Sequence, residues 1–236
     1  MNRRQRLKAN LESVEARLAA ACSLAGRRRS EVRLVAVTKY VDVETVRELP
    51  ELGVREFGES RPQELWKKAN ALPDLNWHLV GHLQRNKVER SLTLATLIHS
   101  VDSLRLLEAI HAAAVMQSIK AKVLLEVHLT SEATKQGFNV NDLSVIGDRL
   151  SQWPHMEIHG LMTMAALGAP AAEARRSFAC LRELRDRLRS QWPLSACLSE
   201  LSMGMTADFE AAIQEGATLV RIGSALFEGM CIGASA

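Results

Sequence analysis

Four features of this 236-residue chain could do chemistry together: one lysine, one arginine and two small-residue turns. Lys39 closes the apolar run Arg33-Leu34-Val35-Ala36-Val37-Thr38-Lys39. An ammonium is expensive to hold beside apolar groups, and partial desolvation lowers a lysine pKa and raises its share of free amine. Free amine is what Schiff-base formation with an aldehyde needs. A lysine at a strand end also reaches solvent simply by extending its stem, so Lys39 gains meaning from its company. Ser202-Met203-Gly204-Met205 and Gly223-Ser224 are that company. Small residues let backbone N–H groups approach a phosphate, and serine hydroxyls donate as well; either turn alone reads equally as a helix cap. Arg221 lies two residues before Gly223, so both leave a strand on one face. An inward arginine needs an acceptor, and the ring nitrogen of a pyridine cofactor is one.

These residues must be brought together by the elements that carry them. Leu7, Leu11, Val14, Leu18 and Cys22 recur at helical spacing and Gly26 ends that helix. Arg33–Lys39 reads as a buried strand. Helix, strand and helix follow over 43–52, 54–58 and 62–71. A strand at 77–81, a short helix from Gln84 and a strand at 97–101 come next, then a helix over 103–116 and a strand over 122–129. The remainder reads as helix 141–153, strand 157–164, helix 170–189, strand 195–201, helix 207–214 and strand 218–222. Eight strands alternating with helices predict a parallel sheet with helices outside it. Eight such units in about 200 residues fit a closed (β/α)8 barrel near its lower size limit. A doubly wound open sheet is the other candidate, but no G-x-G-x-x-G or P-loop pattern is present. We expect a single α/β domain over 1–236, with residues 1–30 as an extra basic helix on or beside the barrel.

Barrel chemistry sits at the C-terminal strand ends. Those ends deliver Lys39, Glu59 and Ser60, Gly81 and His82, Asp102, the loop Ser131-Glu132-Lys135, Met162 and Thr163, the Ser202 turn, and Arg221 to Ser224. His82 and Asp102 are possible pocket residues; His99, His155 and His159 read as structural or surface. Lys135 could take an aldehyde transiently during cofactor release, or be a solvated loop lysine.

Composition narrows the class. Hydrophobic residues make up 47% and charged residues 24%, the balance of a folded globular chain. Cys22, Cys180, Cys197 and Cys231 form no CxxC pair, so neither a zinc site nor a disulfide framework is expected and a reducing cytoplasm is the natural setting. No apolar run reaches the ~20 residues of a membrane span. The net charge of +3 is uneven: residues 1–30 hold eight basic and two acidic residues. That excess could touch nucleic acid, but no aromatic residues interleave it, and no nucleic-acid or membrane partner is expected.

The amine, the two turns and the guanidinium together point to pyridoxal phosphate (PLP). The chain also resembles the YggS/PROSC family of PLP homeostasis proteins from Val35 to Phe227. The matching stretches are Val35–Lys39, Phe57-Gly58-Glu59, His78–Lys87, Gly160-Leu161-Met162, Ser202–Met205 and Val220–Phe227. The resemblance implies a fold like the barrel domain of alanine racemase without its second domain. It implies Lys39 as the lysine of the internal aldimine and Arg221 facing the pyridine nitrogen. Ser202, Gly223 and Ser224 match phosphate-binding positions, and Met162 and Met203 fall in pocket segments. Ser60 stands where the family usually has asparagine, and His128 where strand five usually has asparagine. The family holds and supplies the cofactor without an established turnover, so PLP-dependent apo-enzymes are the expected recipients and a monomer the default.

Two other activities use similar parts. A racemase like alanine racemase needs a tyrosine opposite the lysine; Tyr40 is adjacent to Lys39, and strand neighbours point to opposite faces. A Schiff-base aldolase acting on a sugar phosphate would need an acid–base pair, for which Glu59 or Asp102 are the candidates.

Overall fold

A computed structural model of the chain describes residues 2–129, 137–166, 168–192 and 198–230. Its first helix, α1 (Arg3–Leu24), begins at a capping box in which the Asn2 side chain receives the Gln5 N–H and the Gln5 side chain receives the Asn2 N–H. Such a box satisfies two otherwise orphaned helix N–H groups. Gly26, at φ +64°, takes the chain out of the helix.

The apolar segments then form eight strands: β1 (Arg33–Val37), β2 (Glu56–Glu59), β3 (Asn76–Leu79), β4 (Leu97–Val101), β5 (Ala121–Glu126), β6 (Met156–Met162), β7 (Glu200–Ser202) and β8 (Leu219–Ile222). They pair in parallel in chain order, and β8 closes on β1 with Val35 opposite Arg221. Outside run α2 (Val43–Glu48), α3 (Pro62–Ala71), α4 (Val88–Leu92), α5 (Leu104–Met116), α6 (Val140–Arg149), α7 (Ala171–Gln191) and α8 (Phe209–Gln214). This is the expected closed (β/α)8 barrel, and the open-sheet alternative is excluded by the β1–β8 pairing.

The period-two alternation of the strands splits the core in two. Leu34, Ala36, Phe57, Trp77, Ile98, Leu161 and Val220 face the helices. Val35, Val80, Leu97, Leu124, Met162 and Leu219 face the lumen as a smaller apolar cluster. Between and above them the lumen carries His78, His99, Glu126, Ser202 and Arg221, all buried.

Several element ends differ from expectation for local reasons. The first strand stops at Val37, because the Val41 N–H closes a turn on the Thr38 carbonyl. The helix expected over 43–52 breaks before Pro50, which has no N–H to donate, and continues as a short 3-10 turn. The Val54 N–H bonds back to Leu49, delaying the next strand to Glu56. Of the strand expected at 195–201, residues 195–197 lie outside the described residues, as does the Ser131-Glu132-Lys135 loop.

Helix α1 packs on α8 and buries Leu7, Leu11, Val14, Leu18, Ala21 and Cys22 against the barrel. Arg17 pairs with Glu210 and lies over the Phe209 ring, and the Asn10 amide donates to the Leu226 and Glu228 carbonyls. Arg3, Arg4 and Arg29 pair with Glu48, Glu51 and Glu15. Much of the basic excess is thus balanced at the barrel wall. Among the described residues no helix is long and apolar enough to cross a membrane.

Candidate cofactor site at the barrel mouth

The seam between β1 and β8 brings the three chemical elements together. Register pairs Ala36 with Ile222, so Lys39 and the Gly223-Ser224 turn leave adjacent strands at the same end. The approach is close: a Cβ on Gly223 would lie 3.0 Å from the Val37 carbonyl oxygen. Lys39 is solvent-exposed, and its Nζ lies 4.7 Å from the centre of the Tyr40 ring. Two expectations change here. The apolar run ends at Val37, so Lys39 is presented from a turn instead of being desolvated in the strand. Strand alternation therefore does not govern Tyr40 either; its ring lies against the amine, on the lysine's own side.

Arg221 is fully inside the lumen. Nη1 donates to Ser202 Oγ at 2.5 Å and Nη2 to the Thr163 carbonyl at 3.0 Å. Burial lowers its pKa to about 10, so it remains a cation at neutral pH. Ser202 was expected at the phosphate; its hydroxyl is instead engaged inside the barrel by Arg221 and by His99 Nδ1 at 2.8 Å. Met203 was expected in the pocket; as the strand neighbour of an inward Ser202 it points outward into the helix-side core. Met162 does line the lumen. Ser60 is half-buried, with its carbonyl packed so tightly on Gly81 that a Cβ there would sit 2.2 Å away. His82 is exposed at the rim and pairs with Asp102 at 3.1 Å.

The turn after β7 depends on Gly204, at φ +89°, where a Cβ would meet Ala212 Cβ at 2.6 Å. In the turn after β8 the Gly223 carbonyl accepts from Leu226 and Phe227. Among the described residues no backbone carbonyl receives the Gly223 or Ser224 N–H. Half-buried Gly223 and exposed Ser224 therefore offer amides and a hydroxyl at the mouth. A primary amine, a small-residue donor turn and a fixed guanidinium are a donor set that suits a phosphorylated pyridine aldehyde.

Glu59 does not reach the mouth. Gly58 faces the lumen, so Glu59 faces α3, where Lys68 Nζ donates to its Oε1 at 2.5 Å and to the Thr38 carbonyl at 2.7 Å. It is unavailable as an aldolase acid. Glu126 was not singled out; it lies in the lumen one strand from Met162. Burial, and then the Asp102 charge, push its pKa up to about 7. His99, read as structural or surface, and His78, not singled out, sit together in the lumen with ring nitrogens 2.8 Å apart. The available signal was a histidine in each of two otherwise apolar strands, since a buried polar group needs a partner. His155 and His159 are peripheral, bonded to the Ile119 carbonyl and to Glu157.

Residues 6–230 match the family described as alanine racemase, N-terminal domain. A PLP homeostasis protein of Aquifex aeolicus is 40% identical over 229 residues, 96% of this chain and 98% of that one. The structure of PipY from Synechococcus elongatus, with PLP bound, is similar at 40% identity and a TM-score of 0.79, over 91% of this chain and 99% of that one. Alanine racemase of Clostridium difficile shares the fold at 20% identity and a TM-score of 0.71, and there 94% of this chain covers 56% of the racemase. With its barrel, its mouth and these similarities in agreement, the chain belongs to the alanine racemase N-terminal domain family and, within it, to the PLP homeostasis proteins.

Proposed function

We propose that this chain binds pyridoxal 5'-phosphate at the barrel mouth through Lys39 and holds it for delivery, with little turnover of its own. The observation that supports the reading is the β1–β8 register, which brings residue 39 and the Gly223-Ser224 turn off adjacent strands at one end of the barrel in which Arg221 is buried. When bound, the cofactor supplies an aldehyde that condenses reversibly with a primary amine. Lys39 provides that amine from an exposed turn, where an exchanging amine can approach it. Gly223 and Ser224 supply donors for the phosphate, and Met162 supplies an apolar wall. Ser60 and His82 form the rim. Arg221 sets the ring end: always a donor and always charged, it gives the pyridine nitrogen a hydrogen bond and no proton. An unprotonated ring draws electrons weakly, which suits storage better than carbanion chemistry.

One domain, working as a monomer in the cytoplasm, suffices for this role, with PLP-dependent apo-enzymes as recipients. The test is a visible spectrum of the PLP-loaded protein before and after borohydride, followed by peptide mapping. Colour that borohydride bleaches, with the mass addition on the Lys39 peptide, is the expected result. Colour that persists in Lys39→Ala, fixed covalently to another residue, would overturn it.

A further inference from the structure

A continuous polar path crosses the barrel lumen beneath the cofactor contacts. At the base, Glu56 Oε2 lies 3.0 Å from His78 Nε2. His78 Nδ1 lies 2.8 Å from His99 Nε2, and His99 Nδ1 lies 2.8 Å from Ser202 Oγ. Arg221 Nη1 completes the path 2.5 Å from the same hydroxyl. His78, His99, Ser202 and Arg221 are all less than 5% exposed.

The two ends, and the need of the buried Ser202 O–H for an acceptor, orient the protons between them. A guanidinium only donates and a carboxylate only accepts. Arg221 therefore donates to Ser202, and the single Ser202 proton goes to His99 Nδ1. His99 then carries its proton on Nε2 and donates to His78 Nδ1. His78 in turn carries its proton on Nε2 and donates to Glu56. All four links are satisfied with a single proton on His99. A second proton on His99 would make Nδ1 a donor, leave the buried Ser202 O–H with no acceptor among the described residues, and add a cation beside Arg221. Burial first, and then the Arg221 and Arg33 charges, hold the His99 pKa well below the histidine range. The hydrogen bond from His78 keeps Glu56 ionised, with Arg33 3.7 Å from its other oxygen.

We propose that Glu56, His78, His99, Ser202 and Arg221 form a one-way hydrogen-bond relay, in which His99 and Ser202 are positioning residues that hold Arg221 as a donor-only cation under the cofactor ring. The last step rests on the cofactor reading above; the relay itself does not. Its consequence is that no proton can travel up the lumen to the ring nitrogen without reversing all four links, so the ring stays unprotonated whatever binds at the mouth.

The first measurement is made on the cofactor-free full chain, by nitrogen-15 NMR of the histidine rings, with His78→Gln and His99→Gln used for assignment. His99 is expected as a neutral Nε2–H tautomer with no change between about pH 6 and 8, a range spanning the ordinary histidine pKa. Ser202→Ala removes the donor to Nδ1 and is expected to let His99 populate both tautomers, while Ser202→Thr keeps the wild-type signature. A proton on His99 Nδ1, or a charged His99 at neutral pH, would overturn the relay. The second measurement uses the PLP-loaded protein: Ser202→Ala is expected to shift the visible band and its pH profile, Ser202→Thr to restore them, and borohydride still to mark Lys39. An unchanged spectrum in Ser202→Ala would refute the positioning role. A chain that takes up no PLP would refute the cofactor reading instead, with the NMR result still deciding the relay.

Discussion

Lysine 68 is buried against the Thr38 carbonyl, one residue before Lys39, and its removal makes a sharp test of the fold. Lys68 and Glu59 are 2% and 0% exposed, 2.5 Å apart, and lie between β2 and α3. The Thr38 hydroxyl also donates to Glu59 Oε1 at 2.6 Å, while Oε2 is buried with no partner among the described residues. In Lys68→Met the Thr38 carbonyl keeps the Val41 N–H, so that bond is not the main loss. The loss is electrostatic: Glu59 is left as a buried charge with one neutral donor. Breaking a buried pair in this way costs about 3–5 kcal/mol. In a chain of this size each kcal/mol moves Tm by about 2–4 °C, so a fall of roughly 6–20 °C is expected. Neutralising the orphan should recover most of it, leaving Glu59→Gln/Lys68→Met only about 1–2 kcal/mol below wild type. Equilibrium urea unfolding of wild type, both single variants and the double variant measures the coupling directly. If Lys68→Met stays within about 1 kcal/mol of wild type, or if the single losses simply add, the buried-charge argument is wrong.

Other outcomes follow from the same geometry. Lys39→Ala should leave urea stability within about 0.5 kcal/mol of wild type, because the side chain is exposed, while abolishing the borohydride-fixed mass addition on the residue-39 peptide. Gly204→Ala should cost about 2–5 kcal/mol, combining left-handed strain at φ +89° with a clash against Ala212, and should weaken PLP retention on dialysis. Glu126 should make stability fall as pH rises. Its folded pKa, about 7, lies above the ordinary glutamate value of 4.5, so its contribution is complete below about pH 4.5 and is lost through pH 7. Glu126→Gln should therefore gain on the cofactor-free wild type across that window, by about 3 kcal/mol at pH 8, in paired urea titrations. A gain independent of pH would show that Glu126 is not protonated in the folded lumen.

The strand count, the parallel alternation and the arrival of Lys39, Arg221 and the Gly223-Ser224 turn at one end of the barrel were legible in the residues themselves. Periodicity is a local property, and Pro62–Ala71 and Leu97–Val101 were bounded correctly from it alone. The resemblance of Val35–Lys39 and Ser202–Met205 to a known family carried the cofactor. What tertiary structure decided was the destination of each polar side chain. Glu59 looked available at a strand end, but one position of alternation turned it toward Lys68 and away from the mouth. Ser202 looked like a phosphate donor and Met203 like a pocket residue; the same alternation sent the serine to Arg221 and the methionine to the outer core. His78 and His99 lie 21 residues apart in sequence and meet only because β3 and β4 are neighbours in a closed barrel. Spacing along a chain determines which face a residue takes within its own strand. Which partner waits on that face is decided by register and closure, and these exist only once all eight strands are in place.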